Sequence, residues 1–207
     1  IYPSVLDSLN LATAYNFDMD GDVHYNLLSA FQKSIRGSDP DAAVYYLARL
    51  VKGGDLISIC RRLLVIASED VGLAYPNAIA ITKACVDSAM QLGFPEARIP
   101  LAQAAILLAT SPKSNSAYLA INSALSDIDS RVSDDIPDHL KDSHYSGAKK
   151  LGHGRDYLYP HNYPNHYIDQ DYLPDNLLGR CYYDPQDNKF EKGIRSYMDI
   201  LRDSLKK

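Results

Sequence analysis

His153, His161 and His166 stand near Asp156, Asp169 and Asp171, and these residue types hold zinc or move protons near neutral pH. A zinc site wants ligands at fixed helical or turn spacing, with a hydrogen-bond acceptor behind each imidazole. The separation of His161 and His166, in a stretch crowded with Pro and Tyr, gives no such geometry. The imidazoles are therefore expected as surface or packing groups, and no metal is expected. Asp18-Met19-Asp20-Gly21-Asp22 imitates the start of a calcium loop. That loop needs glycine at its sixth position and a bidentate acid at its twelfth. Counting from Asp18 finds Val23 and Ser29 there, so an acidic turn ahead of a helix is expected.

Gly147-Ala148-Lys149-Lys150-Leu151-Gly152-His153-Gly154 has the glycine spacing of a phosphate loop. A true one continues with Lys and Ser or Thr, which reach the terminal phosphate and hold magnesium. Here His153 and Gly154 take those places, and no cofactor is expected within this chain. No GxSxG elbow, activated-cysteine context or HExxH is present. The acidic pairs Glu69-Asp70 and Asp134-Asp135 are adjacent residues, which point different ways on a helix and commonly cap its ends. Basic groups are small: Lys33 with Arg36, Arg61 with Arg62, and Lys149 with Lys150 and Arg155. They make a DNA-contact surface only if folding brings them together; otherwise they complement helix dipoles. Lys149, Lys150 and Arg155 are the candidate DNA contacts.

A chain of 207 residues is long enough to bury a core, and its apolar and charged fractions are those of a globular protein. The net charge of −5 argues against a protein whose main task is to coat a polyanion. Cys60, Cys85 and Cys181 share no metal-ligand spacing. Cys60 and Cys85 fall inside apolar helical patterns and are expected as small buried hydrophobes suited to a reducing cytosol. No apolar run reaches the ~18 residues of a membrane helix. The first residue is Ile1, in mid-pattern, as expected of a fragment of a longer polypeptide.

Helix signals are frequent. An amphipathic helix is expected over 3–15. A second runs over 23–36, with Leu27, Leu28, Phe31 and Ile35 on one face and Gly37 as its stop. Asp39 before Pro40 is an N-cap followed by proline at the first helical position; that helix ends at Gly53-Gly54. Asp55 caps the next, which ends near Gly72. Pro76 opens another, closed by Gly93. Residues 96–110 are apolar on nearly every side, as a central buried helix would be, with Pro100 marking its start or a kink. Ser111 or Ser114 caps a helix over about 114–130. Short loops predict antiparallel helical hairpins, and strand signals are scarce.

Composition changes near residue 133. From Asp134 to Asn188 the chain is rich in Tyr, Pro, His, Asp and Asn, with a short helix candidate at 143–151. Seven tyrosines lie between Tyr157 and Tyr183. An ordered, irregular arm is expected, burying the rings while their hydroxyls reach polar partners. An amphipathic helix over 189–205 closes the chain.

Some blocks are more specific than any of these motifs. They are His24 to Ala43 (HYNLLSAFQKSIRGSDPDAA), Ala67 to Ala74 (ASEDVGLA), Ser111-Pro112-Lys113-Ser114-Asn115 and Asp171-Tyr172-Leu173-Pro174. In this order they are similar to the replication-associated recombination protein A family, also called MgsA, with eukaryotic Werner-helicase-interacting relatives. The resemblance covers most of residues 22–190. It implies an all-α, clamp-loader-like C-terminal oligomerisation domain of packed helical hairpins. Residues 1–16 would end an AAA+ lid, 17–133 form the helical domain, 134–188 the Tyr/Pro-rich arm packed on it, and 189–207 the last helix. The family's ATP- and magnesium-binding core and arginine finger would lie upstream, so no catalytic residue is carried over.

The same resemblance implies a homo-oligomer, expected as a tetramer, in a cytoplasmic, nucleoid-associated ATPase. It would meet DNA through the intact protein, along with single-stranded DNA-binding protein or replisome components, and no membrane. Within the matching blocks, Lys33, Arg36, Asp39, Glu69, Asp70 and Lys113 are the candidate interaction or helix-corner residues. Glu69 and Asp70 end a helix, where acids oppose the dipole; a backbone amide, Lys33, Arg36 or Lys113 should hold them. Three roles compete: an oligomerisation module, a DNA-binding module of the same ATPase, and an enzyme in the Tyr/His arm.

Overall fold

The computed structural model describes residues 22–130, 135–143 and 153–204. Among them are seven α-helices and no strand, so the all-α expectation holds. The helices are α1 Asp22–Arg36, α2 Pro40–Lys52, α3 Leu56–Ile66, α4 Ala78–Leu92, α5 Arg98–Thr110, α6 Ser116–Ser130 and α7 Lys189–Ser204. The candidate helix at 3–15, the one at 143–151 beyond its first residue, the acidic turn at Asp18–Asp22 before its last residue, and the candidate contacts Lys149 and Lys150 lie outside the described residues. The chain divides into two compact units at Asn115–Ser116. The composition change near residue 133 thus falls inside the second unit.

In the first unit, α5 is the hub and packs against α1, α2, α3 and α4. Its Leu101, Ala104, Ala105, Leu108 and Ala109 are buried among Phe31, Ile35, Leu50, Ile59 and Leu63. Ala78 and Ala89 of α4 and Ala104 and Ala105 of α5 are buried, and small buried side chains let packed helix axes approach closely. Ile99 and Ile106 are exposed, so α5 keeps one open side. Pro100 is its third residue; there the missing N–H would have had no intrahelical partner, and the proline marks a start and not a kink. Asp39 and Asp55 cap as expected, accepting from the Ala42 and Ser58 amides at 2.9 and 3.0 Å. Asp55 also takes His24 Nε2 at 3.0 Å, well out of solvent.

The second unit is built differently. Around α6 and α7, the described residues of the arm form short 3-10 turns at Asp138–Leu140, Pro160–Asn162, Pro164–His166 and Asp175–Leu177. Leu177 is the arm's one buried large apolar side chain among the described residues. The tyrosine expectation is corrected here. Tyr157, Tyr159 and Tyr172 are exposed, and Tyr163, Tyr167, Tyr182 and Tyr183 are only half-buried. One-turn elements have no continuous apolar face, so none of these turns among the arm's described residues encloses a ring on all sides.

Candidate functional site

Three chain corners of the first unit meet at Asp70. The acid lies in a π-helical turn, Ala67–Val71, that continues α3, and it is buried. Its carboxylate accepts from Gln32 Nε2 at 3.2 Å and from Arg36 Nε. Arg36 also donates to Glu69 Oε1 at 2.9 Å, and Arg62 Nη1 donates to Gln32 Oε1 at 2.7 Å. One guanidinium thus neutralises both acids that would oppose the α3 dipole. The Asp70 carbonyl accepts the Ser114 amide at 2.9 Å. Gly72 follows at φ +46°, with the Ser114 carbonyl so near that an added Cβ would lie 2.6 Å from its oxygen. Only glycine fits both the left-handed backbone and that approach.

Lys113 completes the corner. Its ammonium donates to Ser38 Oγ at 3.0 Å and to the Ala109 and Ser111 carbonyls at 3.0 and 2.6 Å. Burial holds its pKa below the ordinary lysine value, and nearby Asp70 pulls it back up. These bonds cap the end of α5 and tie it to the α1–α2 turn. In that turn the left-handed residue is Ser38 at φ +60°, not Gly37 as the glycine signal predicts. The Ser38 and Asp39 amides close onto the Ile35 and Ser34 carbonyls, both at 3.0 Å, which is a Schellman motif with serine in the glycine place. The Lys113 contact explains a hydroxyl there.

Of the six residues expected at this corner, Arg36, Glu69, Asp70 and Lys113 converge with Ser38. Asp39 serves α2 as its cap, and Lys33 is exposed and touches neither acid. Behind Asp70, buried Gln32 is not singled out by the sequence, where only a polar residue on an otherwise apolar face of α1 hints at it, and half-buried Arg62 is named there only as a basic pair with Arg61.

The second unit has its own polar locks. Arg180 grips Asp127 of α6 through both carboxylate oxygens, at 2.7 and 3.2 Å. The Tyr182 hydroxyl adds a third bond at 3.0 Å, with its ring 5.7 Å from the Arg180 guanidinium carbon. Glu191 of α7 is fully buried. It accepts from Tyr183 Oη at 3.1 Å and from the Asn188 side chain, while the Asn188 carbonyl oxygen Oδ1 caps the Glu191 amide at 2.9 Å. Burial, with the hydrogen bond to Glu191, pushes the Tyr183 phenol up to about 12.

His161 and His166 are exposed, with ring centroids 4.9 Å apart, and no cluster of metal-ligating groups forms among the described residues. An open groove of about 550 Å³ is lined by Asp138, His139, Arg155, Asp156, Leu158, Gln170 and Asp171. It contains none of His153, His161 and His166, and Arg155 shares it with three acids. Gly154 gives its amide to the Asp138 carbonyl at 2.8 Å, and an added Cβ there would lie 2.7 Å from Ser143. Its N–H is spent inside the protein, so this position does not suit a nucleotide phosphate. Cys60 and Cys85 are buried, and burial raises both thiol pKa values.

Comparison with known proteins bears on what these corners belong to. The family described as "MgsA AAA+ ATPase C terminal" matches residues 37–202. The chain belongs to this family. It is 57% identical to Replication-associated recombination protein A of Bacillus subtilis (strain 168) over 189 residues, 91% of this chain and 45% of that protein. Against the protein of the same name from Escherichia coli (strain K12) it is 39% identical over 194 residues, 93% of this chain and 43% of that one. With ATPase WRNIP1 of Dictyostelium discoideum it shares 32% over 181 residues, 86% of this chain and 21% of that protein. The chain therefore spans less than half the length of these relatives. Three of the four blocks that carry the family resemblance, those containing Arg36, Asp70 and Lys113, are the ones that meet at the corner. No described helix is long and apolar enough to cross a membrane.

Proposed function

We propose that this chain is the oligomerisation domain of a DNA-dependent AAA+ ATPase acting in replication, recombination and repair at stalled forks, and that it assembles homotetramers. The observation that carries the reading is the second unit's inverted surface: α6 buries only Ser116 and Asp127 and exposes Tyr118, Leu119, Ile121, Leu125 and Ile128. Exposed apolar patches of this kind mark interaction sites. α7 does likewise with Phe190, Tyr197 and Ile200. A tetramer of dihedral symmetry needs two distinct self-complementary contacts, and two exposed apolar helices supply candidates for both.

Membership of an AAA+ family and the relatives' names support the wider role. ATP and magnesium would be handled by the part of such a protein that this chain does not span. DNA would meet the intact ATPase, in a cytoplasmic, nucleoid-associated setting with single-stranded DNA-binding protein or replisome components as further partners. Light scattering on the 207-residue chain at micromolar concentration should give four chain masses. The competing DNA-binding reading predicts salt-sensitive affinity that is lost on reversing Lys149, Lys150 or Arg155. The proposed role predicts a flat titration at low salt, and tight binding by a strictly monomeric chain would overturn it.

A further inference from the structure

On the reading that this domain self-associates, we infer that α6 is the contact, packed antiparallel against α6 of a second copy across a two-fold axis between Ile121 and Ala124. The argument begins with which side of the helix is already used. At about 3.6 residues per turn, Ser116, Ala120, Ser123 and Asp127 share one edge. Arg180 and Tyr182 hold Asp127 there, with a longer Arg180 contact to Ser123 at 3.5 Å. That lock fixes the rotation of α6 within its unit and turns the opposite stripe outward. The stripe is Ala117, Tyr118, Ile121, Ala124, Leu125 and Ile128, with Tyr118, Ile121, Leu125 and Ile128 at 45, 56, 49 and 64% exposure.

The stripe is complementary to itself. Ala117, Ile121, Ala124 and Ile128 are spaced by four, three and four residues, the spacing of a helix–helix seam. In an antiparallel pair centred between Ile121 and Ala124, each Ile121 faces the second copy's Ala124, and each Ala117 faces its Ile128. Both seam isoleucines therefore meet an alanine, so the central seam is complementary to itself about a two-fold axis. No charge lies in the seam: the two charged residues of α6, Asp127 and Asp129, flank it on opposite sides. A second copy thus meets no like charge at the centre and a polar rim around it. The size also fits. Four half-exposed large side chains form a patch of the ~300–600 Å² that marks the largest on ordinary monomers, and with its rim this approaches the ~800 Å² per partner of a stable interface.

The test uses the whole chain in a Cys181→Ser background. In Ala117→Cys/Ile128→Cys, each new cysteine faces its opposite number in the second copy, whereas within one helix the two are too far apart to bond. Mild oxidation should convert most of the chain to a disulfide-linked dimer, and Ala117→Cys alone should give at least tenfold less. Separately, Ile121→Asp/Ile128→Asp should at least halve the sedimenting mass at micromolar concentration. Both residues are exposed in the single chain, and unchanged circular dichroism would confirm that the variant folds. An oligomeric parent whose mass survives the aspartates, or whose paired cysteines fail to cross-link, overturns the α6 seam and leaves self-association standing. A parent chain that is itself monomeric overturns both.

Discussion

The two units handle apolar side chains in opposite ways. In the first, large residues such as Phe31, Ile35, Leu63, Leu101 and Leu108 are fully buried, and polar groups close the corners where helices turn. In the second, the helices bury polar groups, Asp127 and Glu191 among them, and hold Tyr118, Ile121, Leu125, Ile128, Tyr197 and Ile200 in the open. A buried carboxylate is tolerated only when hydrogen-bonded and charge-compensated, and Arg180 with Tyr182 meets that need at Asp127. The first unit spends its apolar surface on its own stability. The second leaves it exposed, and the proposed self-association rests on that exposure.

The largest effect that would sharpen this contrast is Phe31→Ala. Removing a fully buried ring from the first core should cost about 3–5 kcal/mol in urea unfolding followed by circular dichroism; a loss below about 1 kcal/mol would mean the core is not as closed as it looks. Next comes the corner. Asp70→Ala leaves the buried Gln32 amide without its acceptor and should cost about 1–3 kcal/mol. Gly72→Ala should cost a similar amount, about 1–3 kcal/mol, from backbone strain alone, before the contact with Ser114 is counted. Differential hydrogen exchange at the Ser114 amide would report both.

In the second unit the same kind of truncation should barely register on stability. Ile128→Ser, at an exposed position, should stay within about 0.5 kcal/mol while lowering the sedimenting mass at a given concentration. The smallest effect is a titration. The Tyr183 phenol is raised from 10.0 to about 12, so its neutral form is favoured by folding. The stability it lends is present in full below pH 10 and is lost as the pH rises through about 12. Tyr183→Phe should remove a phenol that titrates near 12 from an alkaline absorbance titration, and an unchanged curve would reject the Glu191 contact.

How far the sequence foretold this depended on the range of the chemistry involved. Caps are local, so Asp39-Pro40 and Asp55 could be read directly. The left-handed residue of the α1–α2 turn could not, because the group that favours Ser38 over Gly37 is Lys113, 75 positions away. The blocks around Arg36, Asp70 and Lys113 stood out as similar to a family, yet nothing in their spacing shows that one guanidinium serves both acids or that Gln32 relays to Arg62. The arm misled in an instructive way: seven tyrosines in a short span suggest burial, but rings need walls, and one-turn elements provide none. The expectation of a helix over about 114–130 names no face of α6, and its apolar stripe gains meaning only because Asp127 occupies the other edge.

Sedimentation equilibrium of the unmodified chain over a micromolar concentration range tests the central claim most directly. The account predicts a mass of four chains that falls toward smaller species on dilution. A mass of one chain throughout that range would contradict it.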